Sequence, residues 1–132
     1  MSKKIIIVGG VAGGMSAATR LRRLMGDAKI TIYEKGPYVS FANCGLPYYV
    51  SGEISEYDSL IVQTPEALKN RFDLDVQPNH EVIAIYPEKK TVEVRHNGET
   101  FTDSYDELIL SPGAKPFIPP IQNLETAQNV FS

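Results

Sequence analysis

Two places in this sequence carry residues whose types and spacing could do chemistry. The first is Gly9-Gly10-Val11-Ala12-Gly13-Gly14, followed further on by Glu34. Glycines in a strand-to-helix turn let backbone approach a pyrophosphate closely. The helix N-terminus adds free N–H groups and partial positive charge. An acid ending the next strand accepts hydrogen bonds from a ribose. The second place is Cys44, within Ser40-Phe41-Ala42-Asn43-Cys44-Gly45-Leu46-Pro47-Tyr48-Tyr49. A cysteine at a helix start is biased toward thiolate, the form that attacks a disulfide sulfur. Gly45 leaves room beside it for a planar ring or a second sulfur, and Asn43 can orient a bound group.

Each place has a plainer reading. Laid on G-x-G-x-x-G, Gly9 and Gly14 fit, but Val11 stands at the middle glycine. A tight turn without ligand has the same glycines. Glu34, with no basic pair beside it, argues against a 2′-phosphate but does not choose between NAD and FAD. Cys44 is the only cysteine, and a lone cysteine is most often buried and structural. A following helix start and the dinucleotide context favour chemistry.

The elements that must position these residues can be read in outline. Lys4 to Val8 reads as a buried parallel strand. Gly13-Gly14 opens a helix over Met15 to Met25. Ala17, Ala18, Leu21, Leu24 and Met25 form its apolar face, with Arg20, Arg22 and Arg23 mostly elsewhere. Lys29 to Tyr33 is a second strand, closed by Glu34-Lys35-Gly36-Pro37. Residues Tyr38 to Asn43 form a loop, and a short helix runs from Cys44 to about Val50. Ile54 to Val62 reads as irregular, and Thr64-Pro65-Glu66 opens a helix to about Arg71. Glu81 to Tyr86, Thr91 to His96 and Glu99 to Asp103 make a three-stranded antiparallel meander, with Asn97-Gly98 as a hairpin turn. Tyr105 to Leu110 returns as a buried strand. After Ser111-Pro112-Gly113-Ala114, prolines 116, 119 and 120 predict an extended crossover.

The chain has 132 residues, enough for one modest core, with net charge −3 and 42% hydrophobic residues. No basic footprint for nucleic acid or for an anionic membrane surface is present. Ile5-Ile6-Ile7-Val8 is far too short to span a bilayer, and no signal-peptide core follows Lys3-Lys4. The expectation is a cytoplasmic protein beginning at its own Met1. His80 and His96 read as strand-edge surface residues, and no spacing of ligands predicts a metal.

The meander followed by Ser111-Pro112-Gly113-Ala114 is a layout similar to the FAD domains of flavoenzymes with two dinucleotide domains. Together, Val8-Gly9-Gly10-Val11-Ala12-Gly13-Gly14, Ser40 to Tyr49 and Leu110 to Ala114 resemble coenzyme A-disulfide reductases. These belong to the single-cysteine branch of the pyridine nucleotide–disulfide oxidoreductases, and the resemblance covers essentially the whole chain. The branch also has valine-like residues at the middle glycine position. Its oxidases and peroxidases typically carry Ser-Phe-Leu-x-Cys-Gly, whereas Ala42-Asn43 before Cys44 looks like the group acting on CoA disulfide or CoA persulfide.

The resemblance implies an α/β fold, a Rossmann-like FAD-binding domain with a parallel sheet and the meander, truncated. Residues 1–115 are the first segment of that domain, and 116–132 cross toward an absent NAD(P)H-binding domain. It implies FAD as cofactor and NAD(P)H as co-substrate of a longer parent. Gly9, Val11, Ala12 and Gly13 match the pyrophosphate loop, and Glu34 and Lys35 the adenosine end. Val82 matches a backbone contact to adenine. Ser111 and Gly113 match the loop passing the dinucleotide, and Asn43 and Cys44 face the isoalloxazine. Ser16, Arg20, Arg23, Ser40 and Asn43 fall at CoA-contact positions. Arg71-Phe72 stands where the family can carry a CoA-contacting lysine. Cys44 would attack CoA disulfide or persulfide, the flavin reducing it afterwards. The parent would be a homodimer with a returning FAD segment. The fragment alone would not turn over NADH. An NADH oxidase or peroxidase cycling through a cysteine sulfenic acid is the second reading, and a non-catalytic FAD- or nucleotide-binding module the third.

Overall fold

The computed structural model describes residues 2–131. Four parallel strands form the central sheet: β1 (Lys4–Val8), β2 (Lys29–Glu34), β3 (Asp75–Pro78) and β7 (Glu107–Leu110), in the order β3-β2-β1-β7. Period-two alternation sorts their side chains onto two faces. Ile5, Ile7, Ile30 and Ile32 pack with Met15 and Ala18 of α1 (Ala12–Leu24), with Leu68 of α3 (Pro65–Phe72), and with Val39 and Leu74. Ile6 and Tyr33 face the other way, onto Val92 and Val94. Those valines belong to the meander of β4 (Glu81–Tyr86), β5 (Thr91–His96) and β6 (Glu99–Ser104), ordered β4-β5-β6. The result is three layers: helices, parallel sheet, meander.

The expected meander is present, with Asn97 (φ +50) and Gly98 (φ +79) making its second turn. Two positive φ values in a row twist the hairpin in the sense its strands require. Thr64 caps α3, its hydroxyl oxygen accepting from the Ala67 N–H at 3.2 Å.

Several expectations change. Strand β3 was not anticipated from Asp75-Val76-Gln77-Pro78. Only Val76 is buried there, and Pro78 is tolerated because β3 lies at a sheet edge. Helix α1 begins at Ala12 rather than Met15 and ends at Leu24. Leu24 is 64% exposed and leaves the apolar face, because the helix ends there and the Met25 N–H bonds back to the Leu21 carbonyl. Strand β7 is shorter than Tyr105 to Leu110 and not fully buried; Leu110 is 54% exposed. It pairs only with β1 and forms the second edge of the sheet. Within 54–62, Tyr57–Leu60 forms a 3-10 turn, and Ile61 makes an antiparallel bridge with Phe41.

Two tertiary ties were also unforeseen. Arg22 is no solvated basic residue: it donates to the carbonyls of Phe72, Met25, Gly26 and Asp73, joining the ends of α1 and α3. The Tyr33 hydroxyl donates to Asp103 at 2.7 Å, and Lys4 pairs with the other oxygen of that carboxylate. Burial, then the bond and charge of Asp103, hold the Tyr33 phenol well above the ordinary tyrosine range. Burial pushes Asp103 upward. The bonds from Lys4 and Tyr33, the Lys4 charge and the Ser104 N–H outweigh it and hold the carboxyl below its usual range.

Candidate functional site

The strand order reverses around β1, with β2 on one side and β7 on the other. Ligands of open α/β sheets bind beyond the strand C-termini at such a reversal. Here those ends carry the glycine loop and Ser111. The Gly9 N–H donates to the Tyr33 carbonyl at 2.8 Å, and the Ser111 N–H donates to the Val8 carbonyl at 2.8 Å.

The glycines are needed for the protein's own packing as well as for any ligand. A Cβ on Gly9 (φ +100) would sit 1.9 Å from the Ser111 carbonyl oxygen, and one on Gly14 only 1.7 Å from that of Gly9. Gly13 faces the Ser111 hydroxyl. Helix α1 then starts with no side-chain cap on Val11 and no acid in its first turn. The amides that follow have no intrahelical partner. Ala12 and Gly13 are exposed, which presents that helix start to solvent.

Glu34 is partly committed. One carboxylate oxygen accepts from the Gly10 N–H at 2.7 Å and the other from the Gly36 N–H at 3.1 Å. Each oxygen keeps a lone pair, so hydroxyl donors can still bind. A cavity of about 260 Å³ is lined by Gly9, Glu34, Lys35 and Val82, together with Tyr33, His80, Glu81 and Pro112. It brings together four residues singled out from the sequence. Val82 borders a bulge between itself and Ala84 on β4. Gly113 (φ +77) is exposed beyond β7, and Ser111 is half-buried against Gly9.

His80 and His96 are half-buried rather than free at a strand edge. Their rings stack at 3.9 Å, and each Nδ1 bonds a backbone carbonyl, of Pro78 and Asn79 respectively. A carbonyl only accepts, so each Nδ1 carries the proton. His80 was missed as a lining residue because its ring is brought to the cavity by tertiary pairing. The His80 N–H donates to the Glu34 carbonyl at 2.9 Å, which draws the start of β4 against the end of β2.

Cys44 lies in a 3-10 turn, Asn43–Gly45, that leads into α2 (Leu46–Val50), with Pro47 in the first turn. Both Cys44 and Asn43 are exposed. The helix behind them has five residues, so the dipole expected from it is that of little more than one turn. Gly45 is buried, and a Cβ there would lie 2.5 Å from Leu60 Cδ2. The room it leaves is filled by Leu60, not kept for a ring or a second sulfur.

Ser40 connects the two places. Its N–H donates to the Gly10 carbonyl at 2.7 Å, and its own carbonyl accepts from the Val62 N–H at 3.0 Å. It holds φ +52, a conformation unusual for serine. Gly10 therefore bonds Glu34 through its N–H and Ser40 through its carbonyl, tying the cysteine segment to the glycine loop. Ser16, Arg20 and Arg23 are exposed along α1. Neither arginine makes a side-chain hydrogen bond or ion pair among the described residues. Arg71 lies over the Phe72 ring, 5.2 Å from its centre. No helix among the described residues is long and apolar enough to cross a membrane.

The profile of the family described as pyridine nucleotide-disulphide oxidoreductase matches residues 3–132. A coenzyme A disulfide reductase of Staphylococcus haemolyticus is 49% identical over 114 residues, 85% of this chain and 26% of the relative. Among solved structures, reduced CoADR-RHD of Bacillus anthracis superposes with a TM-score of 0.91 at 51% identity, covering 97% of this chain and 23% of that one. The NAD-dependent persulfide reductase of A. fulgidus gives 0.88 at 40% identity, covering 92% and 23%. The chain thus spans about a quarter of the length of the curated relatives it matches.

Proposed function

The chain belongs to the pyridine nucleotide-disulphide oxidoreductase family, and from that premise we propose that it is the first FAD-binding segment of a reductase acting on CoA disulfide or CoA persulfide. The observation that carries the reading is the hydrogen-bonded path Glu34–Gly10–Ser40, which ties the exposed thiol segment to a dinucleotide cradle. The relatives named for CoA disulfide and persulfide reduction support the substrate class.

The residues present fit FAD. The uncapped start of α1, from Val11 to Gly13, takes the pyrophosphate beside Ser111. Glu34 accepts from the ribose, with Lys35 and Val82 bordering the adenosine end and Gly113 continuing the loop. Bound there, FAD would supply two-electron transfer from NAD(P)H to a disulfide at Cys44, releasing CoA and leaving the thiol. The chain's own part is the exchange step. The Cys44 thiolate attacks one sulfur of CoA disulfide, forming a Cys44–CoA mixed disulfide and expelling the other half as CoA thiolate. One protein cysteine suffices because CoA contributes the second sulfur. Exposed Arg20 and Arg23, with Ser16, Ser40 and Asn43, are the contacts for CoA, the arginines meeting its phosphates.

Residues 1–115 form the cofactor segment, and 116–132 lead toward the part of a longer parent that binds NAD(P)H. Full turnover and pairing into a homodimer belong to that parent, working in the cytoplasm.

The test is direct. Incubation with FAD and then CoA disulfide should leave flavin bound and one CoA mass attached at Cys44. A Cys44→Ser chain should bind flavin equally and take up no CoA. Uptake by Cys44→Ser, or none by the parent sequence, would refute the substrate reading. Oxidation of Cys44 by peroxide to a stable sulfenic acid, without any CoA adduct, would favour the oxidase branch.

A further inference from the structure

The turn bearing Cys44 is exposed and short, yet one side chain gathers the segments on both sides of it. Tyr57, in the 3-10 turn Tyr57–Leu60, meets Tyr49 at 5.5 Å between ring centres in an edge contact, Phe41 at 5.6 Å and Tyr38 at 6.0 Å. Tyr38 and Phe41 also stack on each other at 5.8 Å. Phe41 precedes Cys44 by three residues and Tyr49 follows it by five. The same region reaches the turn through backbone and side chain. The Ala42 N–H donates to the Leu60 carbonyl at 2.7 Å, Phe41 bridges Ile61, and Leu60 fills the space beside Gly45.

We propose that Tyr57 is a positioning residue for Cys44: its ring clamps Phe41 and Tyr49 and so fixes the angle at which the thiol meets a disulfide. The proposal rests on the thiol–disulfide reading above. Exchange needs the attacking sulfur in line with the S–S bond, and a geometric slip costs rate out of proportion to its size. The cost is greatest for a bulky disulfide with little freedom to reorient. The clamp is made by ring contacts, so the ring should matter and the hydroxyl should not.

The experiment uses the full chain and three variants: Tyr57→Leu, Tyr57→Phe and Phe101→Leu. Phe101 packs at 6.1 Å on Tyr33 in the meander, away from the cysteine turn. It controls for the general loss of an aromatic contact. Rates of mixed-disulfide formation at Cys44 are measured with CoA disulfide and with 2-hydroxyethyl disulfide, below the melting midpoint of each chain. Tyr57→Leu should slow CoA disulfide about tenfold and the small disulfide about threefold. Tyr57→Phe and Phe101→Leu should stay within about twofold of the parent sequence for both. A folded Tyr57→Leu chain reacting like the parent sequence would overturn the proposal, as would an equal slowing in Phe101→Leu. If the parent sequence reacts with the small disulfide but not with CoA disulfide, the substrate reading fails by itself. The small-disulfide rates then decide the role of Tyr57.

Discussion

The dinucleotide cradle and the cysteine turn lie in one chain, joined at Gly10 and Ser40, but they are held in different ways. The cradle packs backbone on backbone, Gly9 under the Ser111 carbonyl and Gly14 under that of Gly9, and the Glu34 carboxylate adds a bond from the Gly10 N–H. The turn has backbone ties, Ala42 to Leu60 and Phe41 to Ile61, but its packing comes from side chains arriving from elsewhere, the Tyr57 ring and Leu60. Backbone contacts tolerate almost no displacement, whereas side-chain contacts yield by changing rotamer. A rigid site suits a cofactor that stays bound. A turn seated on movable rings would suit the thiol–disulfide exchange proposed for Cys44.

That contrast can be broken first at the glycines. Gly9→Ala adds a methyl against a carbonyl oxygen at a positive φ and should cost about 3 kcal/mol or more. Urea unfolding would show a large fall in midpoint or no folded chain. Gly45→Ala presses only on the far end of Leu60 and should cost about 1–2 kcal/mol, since a leucine rotamer can give. The same urea measurement ranks the two, and an equal cost for both would show that cradle and turn are equally rigid.

The joint between sheet and meander gives the next effect. Tyr33→Phe removes the donor to Asp103 and should cost about 1–2 kcal/mol at neutral pH. The sign with pH follows from the raised phenol. Its contribution is complete below the unfolded value near pH 10 and disappears as pH rises through the higher folded value. Urea midpoints of the parent sequence should therefore fall more steeply above about pH 10 than those of Tyr33→Phe. Asp103, held low, acts oppositely. Its contribution is present above the unfolded value near pH 4 and is lost as pH falls through the folded one.

The smallest effect on stability is expected on the outer face of α1. Arg20→Ala and Arg23→Ala should each change unfolding by less than about 0.5 kcal/mol, being exposed. They should slow CoA disulfide severalfold at low salt and leave 2-hydroxyethyl disulfide unchanged, because only the former carries phosphates. Equal slowing with both disulfides would remove these arginines from the substrate face.

What was legible is instructive by position. The β-branched run at Lys4–Val8, the Asn97-Gly98 hairpin and the glycine turn between β1 and α1 are local patterns, and each appears where its pattern places it. Strand β3 was not legible, because four residues ending in proline are defined by pairing with β2 and not by propensity. Arg22 looked like its neighbours Arg20 and Arg23, and only the approach of α3 gives it four carbonyls. The sequence around Gly45 predicts open space, since nothing nearby announces that Leu60 fills it.

The sequence by itself determined which candidate residues are present and their order along the chain: a glycine loop, an acid at the end of the second strand, one cysteine before a helix. These depend on residue type and short spacing, which local physics reads directly. Only the tertiary structure decided how the parts serve one another. That the Gly10 amide reaches Glu34, that Tyr57 meets Phe41 beside the cysteine turn and that His80 borders the cavity are contacts between separated segments. They are chosen when the layers pack, because burial is shared among distant segments and no one of them specifies it alone.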